Sequence, residues 1–233
     1  MEEFEKEDIL VEVKEERYPL GEVSILRWVI ALIILNCSFF IMEIFPEKTW
    51  LAVMFLVGPI VSLFVLGHKS FRRLFKGPKL RDIPVVFGMT VLTILVGVIS
   101  SIILERFGSV DNPIVGIANE DNIKYIAILL MVQLVIEEIF FIIWFLFLYH
   151  KAKFEKESTR EIFAWVVSSL IFGAMHLSTY NFNIVQAVIG IGIVRFVLSA
   201  VYIRRKNLTL AYIVHFLYDI LIILAVVTSA NMQ

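Results

Sequence analysis

Polar residues in this chain of 233 residues are gathered into short islands, and the stretches between them are apolar and long enough to matter. The apolar runs fall at 25–45, 50–66, 83–104, 125–149, 162–177, 184–203 and 208–227. A hydrocarbon core takes roughly 20 helical residues, so the pattern predicts an all-α fold, a polytopic membrane helix bundle of about seven transmembrane helices. The loops between the runs leave no room for a second globular domain. We therefore expect one integral membrane domain over 25–233 and an acidic N-terminal segment at 1–24, for which no function is assigned.

The charges outside the runs orient them. The island 68–82 carries Lys69, Arg72, Arg73, Lys76, Lys79 and Arg81, the island 150–161 carries Lys151, Lys153, Lys156 and Arg160, and 204–206 is wholly basic. The alternate islands hold only Lys48, Arg106 and Lys124, and 178–183 has no charge. The positive-inside bias then places the N-terminus in the cytoplasm and the C-terminus outside.

Composition agrees with the pattern: 59% of residues are hydrophobic and mean hydropathy is +0.86, which excludes a soluble domain. Net charge is only −1, with nine acids against three bases in 1–24, so there is no nucleic-acid footprint. The partners implied are the lipid bilayer and whatever meets the polar groups inside it. The single Cys37 forms no intrachain disulfide. The N-terminus lacks the basic and short apolar regions of a signal peptide, so the first run is expected to act as its own insertion signal.

Within the hydrocarbon, Glu137 and Glu138 stand side by side in the run 125–149. Each acid at the centre of a membrane helix costs about 2.5–3.5 kcal/mol on translocon-type scales, so two together read as function. Other runs carry Phe172 and His176, Arg195, and His215 with Asp219. Gln133 and Glu137, Phe172 and His176, and His215 and Asp219 are each four apart, hence on one face of a helix.

Such an inventory suits hydrolysis: Glu137 with His176 as base, and His215 as donor to developing charge. It equally suits a divalent metal such as zinc, held by Glu137, His176, His215 and Asp219, although no HExxH run is present. An ion- or proton-coupled transporter, or a catalytically inactive membrane scaffold, stands as the alternative.

The ordered set Glu137-Glu138, Phe172-Gly-Ala-Met-His176 and His215-Phe-Leu-Tyr-Asp219 resembles the motifs of the CAAX protease and bacteriocin-processing family, whose founding members are type II CAAX prenyl endopeptidases. The likeness covers about residues 120–228. It implies a CAAX prenyl protease-like intramembrane endopeptidase acting on a peptide or protein substrate, lipidated in the founding members. Catalytic roles fall by this resemblance on Glu137 and His176 as water activators, Glu138 in support, and His215 with Asp219 on the oxyanion side. It leaves metal dependence open.

Two departures stand out. The arginine usual at the fourth position after the acidic pair is Ile142 here, and Arg195 is the cation expected to compensate from another helix. Asp219 stands where asparagine is commoner, so it must be protonated, orient His215 or bind a metal.

Further expectations concern packing and depth. Glycines 88, 97, 173, 190 and 192 are expected at close helix contacts, Pro59 and Pro84 at kinks or helix starts, and Trp28, Trp50, Trp144 and Trp165 in an interfacial belt. Straight helices would set Glu137, His176 and His215 at different depths, unless the fifth is short or tilted. The uncharged loop 178–183 is a candidate lid over a wet cavity.

Overall fold

The computed structural model describes residues 17–45, 48 and 52–230. Residues 1–16 of the acidic segment and Trp50 lie outside the described residues. The described chain is helical: α1 (Ile25–Ile44), α2 (Ala52–Leu66), α3 (Ser70–Leu74), α4 (Ile83–Glu105), α5 (Pro113–Ile117), α6 (Ile123–Lys151), α7 (Glu157–Ala174), α8 (Gly192–Arg205) and α9 (Leu208–Ala230). A π-helical stretch, Val185–Ile191, leads straight into α8. Ser24 caps α1 and Asn112 caps α5 through their side-chain oxygens, and Pro84 sits in the first turn of α4, where its missing N–H costs nothing.

Helix α6 is the axis of the bundle. From Ile136 to Ile143 it is buried on every side, and it packs against α1, α2, α7 and α9, while α4 packs against α8 and α9. Most exposed side chains on α1, α2 and α4 are apolar, among them Leu26, Ile33, Phe64, Phe87 and Ile99, as expected of helices whose outer solvent is lipid.

Four helical stretches are long and apolar enough to cross a membrane, Leu80–Glu105, Ile123–Lys151, Val185–Arg205 and Leu208–Ser229; Ile25–Ile41 and Val53–Leu66 are shorter apolar helices. This makes an integral membrane protein. The run 162–177 is not among them. Helix α7 starts earlier, at Glu157, and stops at Ala174, after which the chain turns repeatedly through Asn183, with Asn181 and Phe182 in the left-handed region.

Glycine packing is as expected at most positions. A Cβ on Gly173 would stand 2.4 Å from the Ala187 carbonyl, one on Gly97 would strike the Tyr218 hydroxyl at 2.6 Å, and one on Gly190 would strike Leu104 at 2.5 Å. A Cβ on Gly192 would stand 3.3 Å from Leu170 and from the Ser169 carbonyl, tighter than ordinary contact, whereas one on Gly88 would meet nothing within 4 Å. Trp28 likewise differs from the expected interfacial belt. It is fully buried against α6, beside Phe147 and His150, and the segment before α1 reaches the same place through Pro19, whose carbonyl accepts from His150.

That segment joins three basic loops at one end. Tyr18, Leu20 and Val23 are buried, His150 donates to the Pro19 carbonyl (2.9 Å), Lys151 donates to the Val23 carbonyl (3.0 Å), and Arg73 pairs with Glu22. Glu161 gathers the Tyr18 hydroxyl (2.6 Å), Arg17 (2.9 Å) and Lys206 (3.7 Å). Lys206 also lies 3.7 Å over the Tyr18 ring.

Burial is the main reason that the Lys206 ammonium is held down to about 8; Glu161 pulls it up and Arg17 pushes it down. Between about pH 8 and 10.5 the unfolded chain therefore holds a proton that the folded chain has released. This one group makes the fold more stable as pH rises through that window. Comparing thermal unfolding of the wild type and Lys206→Met at pH 8 and pH 10 is expected to show a smaller pH-driven gain in the variant.

Candidate active site

At the middle of α6 the acidic pair splits by direction. Glu138 is 0% exposed, and Arg195 from α8 grips it with both nitrogens, Nη1 to Oε1 at 2.5 Å and Nη2 to Oε2 at 2.8 Å. The guanidinium lies between two rings, with Cζ 4.2 Å from the Phe141 centroid and 4.5 Å from that of Phe172. Planar faces above and below and a forked carboxylate at the tip leave Arg195 one orientation, which is the kind of site lysine cannot replace. Ile142, at the position where the motif arginine was missing, is instead a fully buried core side chain.

His215 of α9 completes this unit. Its Nδ1 is 2.8 Å from Glu138 Oε1, and an oxygen already held by a guanidinium only accepts, so Nδ1 carries a proton and donates. The other ring nitrogen is thereby turned to Glu137 Oε2 at 3.9 Å and Asp219 Oδ2 at 3.7 Å. Arg195, Glu138 and His215 thus form a rigid wedge from three helices.

Glu137 has a different setting. Its Oε1 accepts from Gln133 Nε2 at 2.8 Å, one helical turn away, and it lines a cavity of about 170 Å³. His176 lines the same cavity, with Phe39, Phe40, Phe55, Met175 and Thr179. A cavity of that volume is roomy enough for a few waters, and it has polar partners for them. His176 Nδ1 donates to the Phe172 carbonyl at 3.0 Å, which leaves Nε2 with its lone pair. The Phe172 ring lies 5.0 Å from the His176 ring and 6.2 Å from that of His215.

The early end of α7 is what lets these groups meet. Because the helix stops at Ala174, His176 sits in a turn that reaches the level of Glu137. Thr179 of the uncharged loop also borders the cavity, and the loop is fastened to the α4–α5 connection. Asn183 donates to the Gly108 carbonyl (3.0 Å), Gln186 exchanges two hydrogen bonds with the backbone of Val110 (2.8 and 2.6 Å), and Asn112 donates to the Tyr180 hydroxyl (3.2 Å).

Gln133, Glu137 and His176 therefore border one cavity, Glu137, Glu138 and Asp219 surround His215, and Arg195 and Phe172 hold the wedge. Sequence reasoning did not single out Phe141 or the cavity wall from α1 and α2. Phe141 had a signal, since it lies three residues after Glu138 on one helix face. Phe39 and Phe55 had none, because nothing in a uniformly apolar run marks which rings face inward. Among the described residues no group of three His, Cys, Asp or Glu side chains is placed to hold a metal ion.

No curated protein and no solved structure matches the chain. A family model does match, the one described as type II CAAX prenyl endopeptidase Rce1-like, over residues 119–221. That span contains Gln133, Glu137, Glu138, Phe172, His176, Arg195, His215 and Asp219, and it includes neither α1 nor α2. The stretch that carries the buried polar groups, residues 119–221, is thus similar to the Rce1-like type II CAAX prenyl endopeptidases.

Proposed function

We propose that this protein is an intramembrane endopeptidase that cleaves a peptide bond at the cavity beside α6, with Glu137 and His176 activating the attacking water. The observation that carries the reading is the opposed placement of the two glutamates: one immobilised by Arg195, the other lining a cavity that it shares with an imidazole. A carboxylate tied into a bidentate pair is a poor base. Glu137 takes part in one side-chain hydrogen bond among the described residues, from Gln133, and its Oε2 stands 3.9 Å from His215 Nε2, which leaves it placed to take a proton from water.

In the proposed step, water in the cavity donates one hydrogen bond to Glu137 and one to His176 Nε2. Glu137 removes a proton as the water oxygen forms its bond to the scissile carbonyl carbon. The carbonyl oxygen becomes an oxyanion, to which His215 donates from Nε2 while Glu138 holds its other nitrogen. Collapse breaks the C–N bond, and Glu137 returns the proton to the leaving amine. Asp219 orients His215 in the resting state; no step passes through a metal. By the positive-inside bias the end bearing residues 17–23 and the basic loops faces the cytoplasm. A lipidated substrate is proposed on the strength of the matched family's description alone.

The purified protein in lipid nanodiscs, given internally quenched peptides with and without a C-terminal lipid, is expected to cleave at least one. His176→Ala is expected to lower the rate by about 100-fold or more. Asp219→Asn, which keeps a hydrogen-bond acceptor for His215, is expected to retain most of the activity, and chelation should leave the wild-type rate unchanged. A rate lost to a chelator and restored by zinc would assign the cavity to a metal instead. Ion flux in proteoliposomes abolished by the same substitutions, with no cleavage, would overturn the reading.

A further inference from the structure

A second cavity, of about 450 Å³, opens at the basic end of the bundle, between the segment before α1, the first turn of α1, the end of α2 and the start of α3. It is within the range of small-molecule sites and is larger than a bare phosphate needs. Three cations line it, Arg27, Lys69 and Arg73, against one acid, Glu22. The Lys69 ammonium has no hydrogen bond or ion pair among the described residues. Among the described residues Arg27 commits only Nε, which donates to the Val65 carbonyl at 2.7 Å, and neither terminal nitrogen has a partner there. Arg73 pairs with Glu22, whose side chain is 61% exposed and easily displaced.

Ser70 adds an independent sign. It lines the same cavity, is 1% exposed, and its hydroxyl has no hydrogen-bond partner among the described residues. Buried hydroxyls are normally satisfied, and an acceptor in the cavity would satisfy this one. The surroundings identify the bearer of that acceptor. Ile25 and Leu26 in the first turn of α1 are 56% and 65% exposed, Phe71 is 49% exposed, and all three flank the cavity's residues in the chain. Cations at the end of a hairpin of apolar helices, beside outward-facing apolar side chains, stand where a lipid's phosphate meets its acyl chains.

We propose that this cavity binds the phosphate of an anionic phospholipid from the leaflet at the basic end of the bundle. Arg27, Lys69 and Arg73 meet its charge and Ser70 donates to one phosphate oxygen. The site is separate from the cavity beside α6 and does not depend on the activity proposed there.

The test is native mass spectrometry of the full chain released from nanodiscs of mixed phosphatidylglycerol and phosphatidylcholine, scoring the lipid retained. The wild type is expected to keep phosphatidylglycerol selectively. Lys69→Gln with Arg73→Gln is expected to weaken retention roughly twenty-five-fold, at about fivefold for each cation. Arg72→Gln with Arg81→Gln removes the same charge from side chains outside the cavity and is expected to retain the lipid. Where the first pair fails to fold, Lys69→Gln with Ser70→Ala replaces it and leaves the Arg73–Glu22 pair untouched. Equal losses in the two charge-matched pairs, or none in either, would overturn the site. Inorganic phosphate or glycerol 3-phosphate raising the thermal midpoint as much as phosphatidylglycerol would overturn its assignment to a lipid.

Discussion

Glu137→Gln is expected to slow peptide cleavage by about 10²–10⁴-fold while leaving the helical fold unchanged. Glutamine matches glutamate in size, and its amide oxygen still accepts from Gln133, so the cavity wall keeps its shape. What is lost is the basic oxygen that takes a proton from water and returns it to the leaving amine. Single-turnover cleavage beside the wild type, with far-ultraviolet circular dichroism and the thermal midpoint as controls for folding, measures the effect. A variant that kept more than a tenth of the wild-type rate would remove Glu137 from the proton transfer and leave His176 to act with another group.

Arg195→Met is expected to act on the whole molecule. It leaves Glu138, 0% exposed, as a charge facing only the His215 Nδ1–H. Removing one member of a buried pair costs about 3–5 kcal/mol, because the other stays desolvated without compensation. For a chain of this size that is roughly 10 °C in the thermal midpoint. Adding Glu138→Gln to Arg195→Met removes the orphaned charge and keeps an acceptor for His215, so much of the stability should return. Cleavage should recover less, since nothing then fixes the ring of His215 as firmly. If Arg195→Met alone left both stability and activity intact, the wedge of Arg195, Glu138 and His215 would have no energetic role.

The two predictions separate residues that look identical along the chain. Adjacent positions on a helix point about 100° apart, so neighbours with the same chemistry are sent into different surroundings. Glu138 points toward α8 and α9; Glu137 points toward the cavity beside α1, α2 and the turn after α7. One residue of difference decides which carboxylate Arg195 holds and which lines the cavity.

The alternating apolar runs and polar islands predict a polytopic helical membrane protein, and the structure is helical with four long apolar helices and two shorter ones. The run 162–177 differs from α7 at both ends. Its apolar residues continue past the end of α7, but the backbone turns after Ala174, and left-handed conformations at Asn181 and Phe182 carry it away from a helical path. Hydropathy senses the transfer energy of side chains and is silent about where backbone hydrogen bonding changes partner. The same silence put Trp28 in an interfacial belt, when it lies fully buried against Phe147 and His150 of α6.

Taken alone, the order of residues determined that this is a bilayer-spanning bundle and that its titratable groups within apolar runs require partners, since hydrocarbon solvates no charge. It also determined which of them share a helix face, because four-residue spacing is a property of the helix itself. Only the tertiary structure decided that Arg195 holds Glu138 rather than Glu137, and that His176 borders the cavity of Glu137 from a turn beyond a short α7. These pairings join positions far apart in the chain, and the packing of α6, α7, α8 and α9 sets their distances, which no local periodicity encodes.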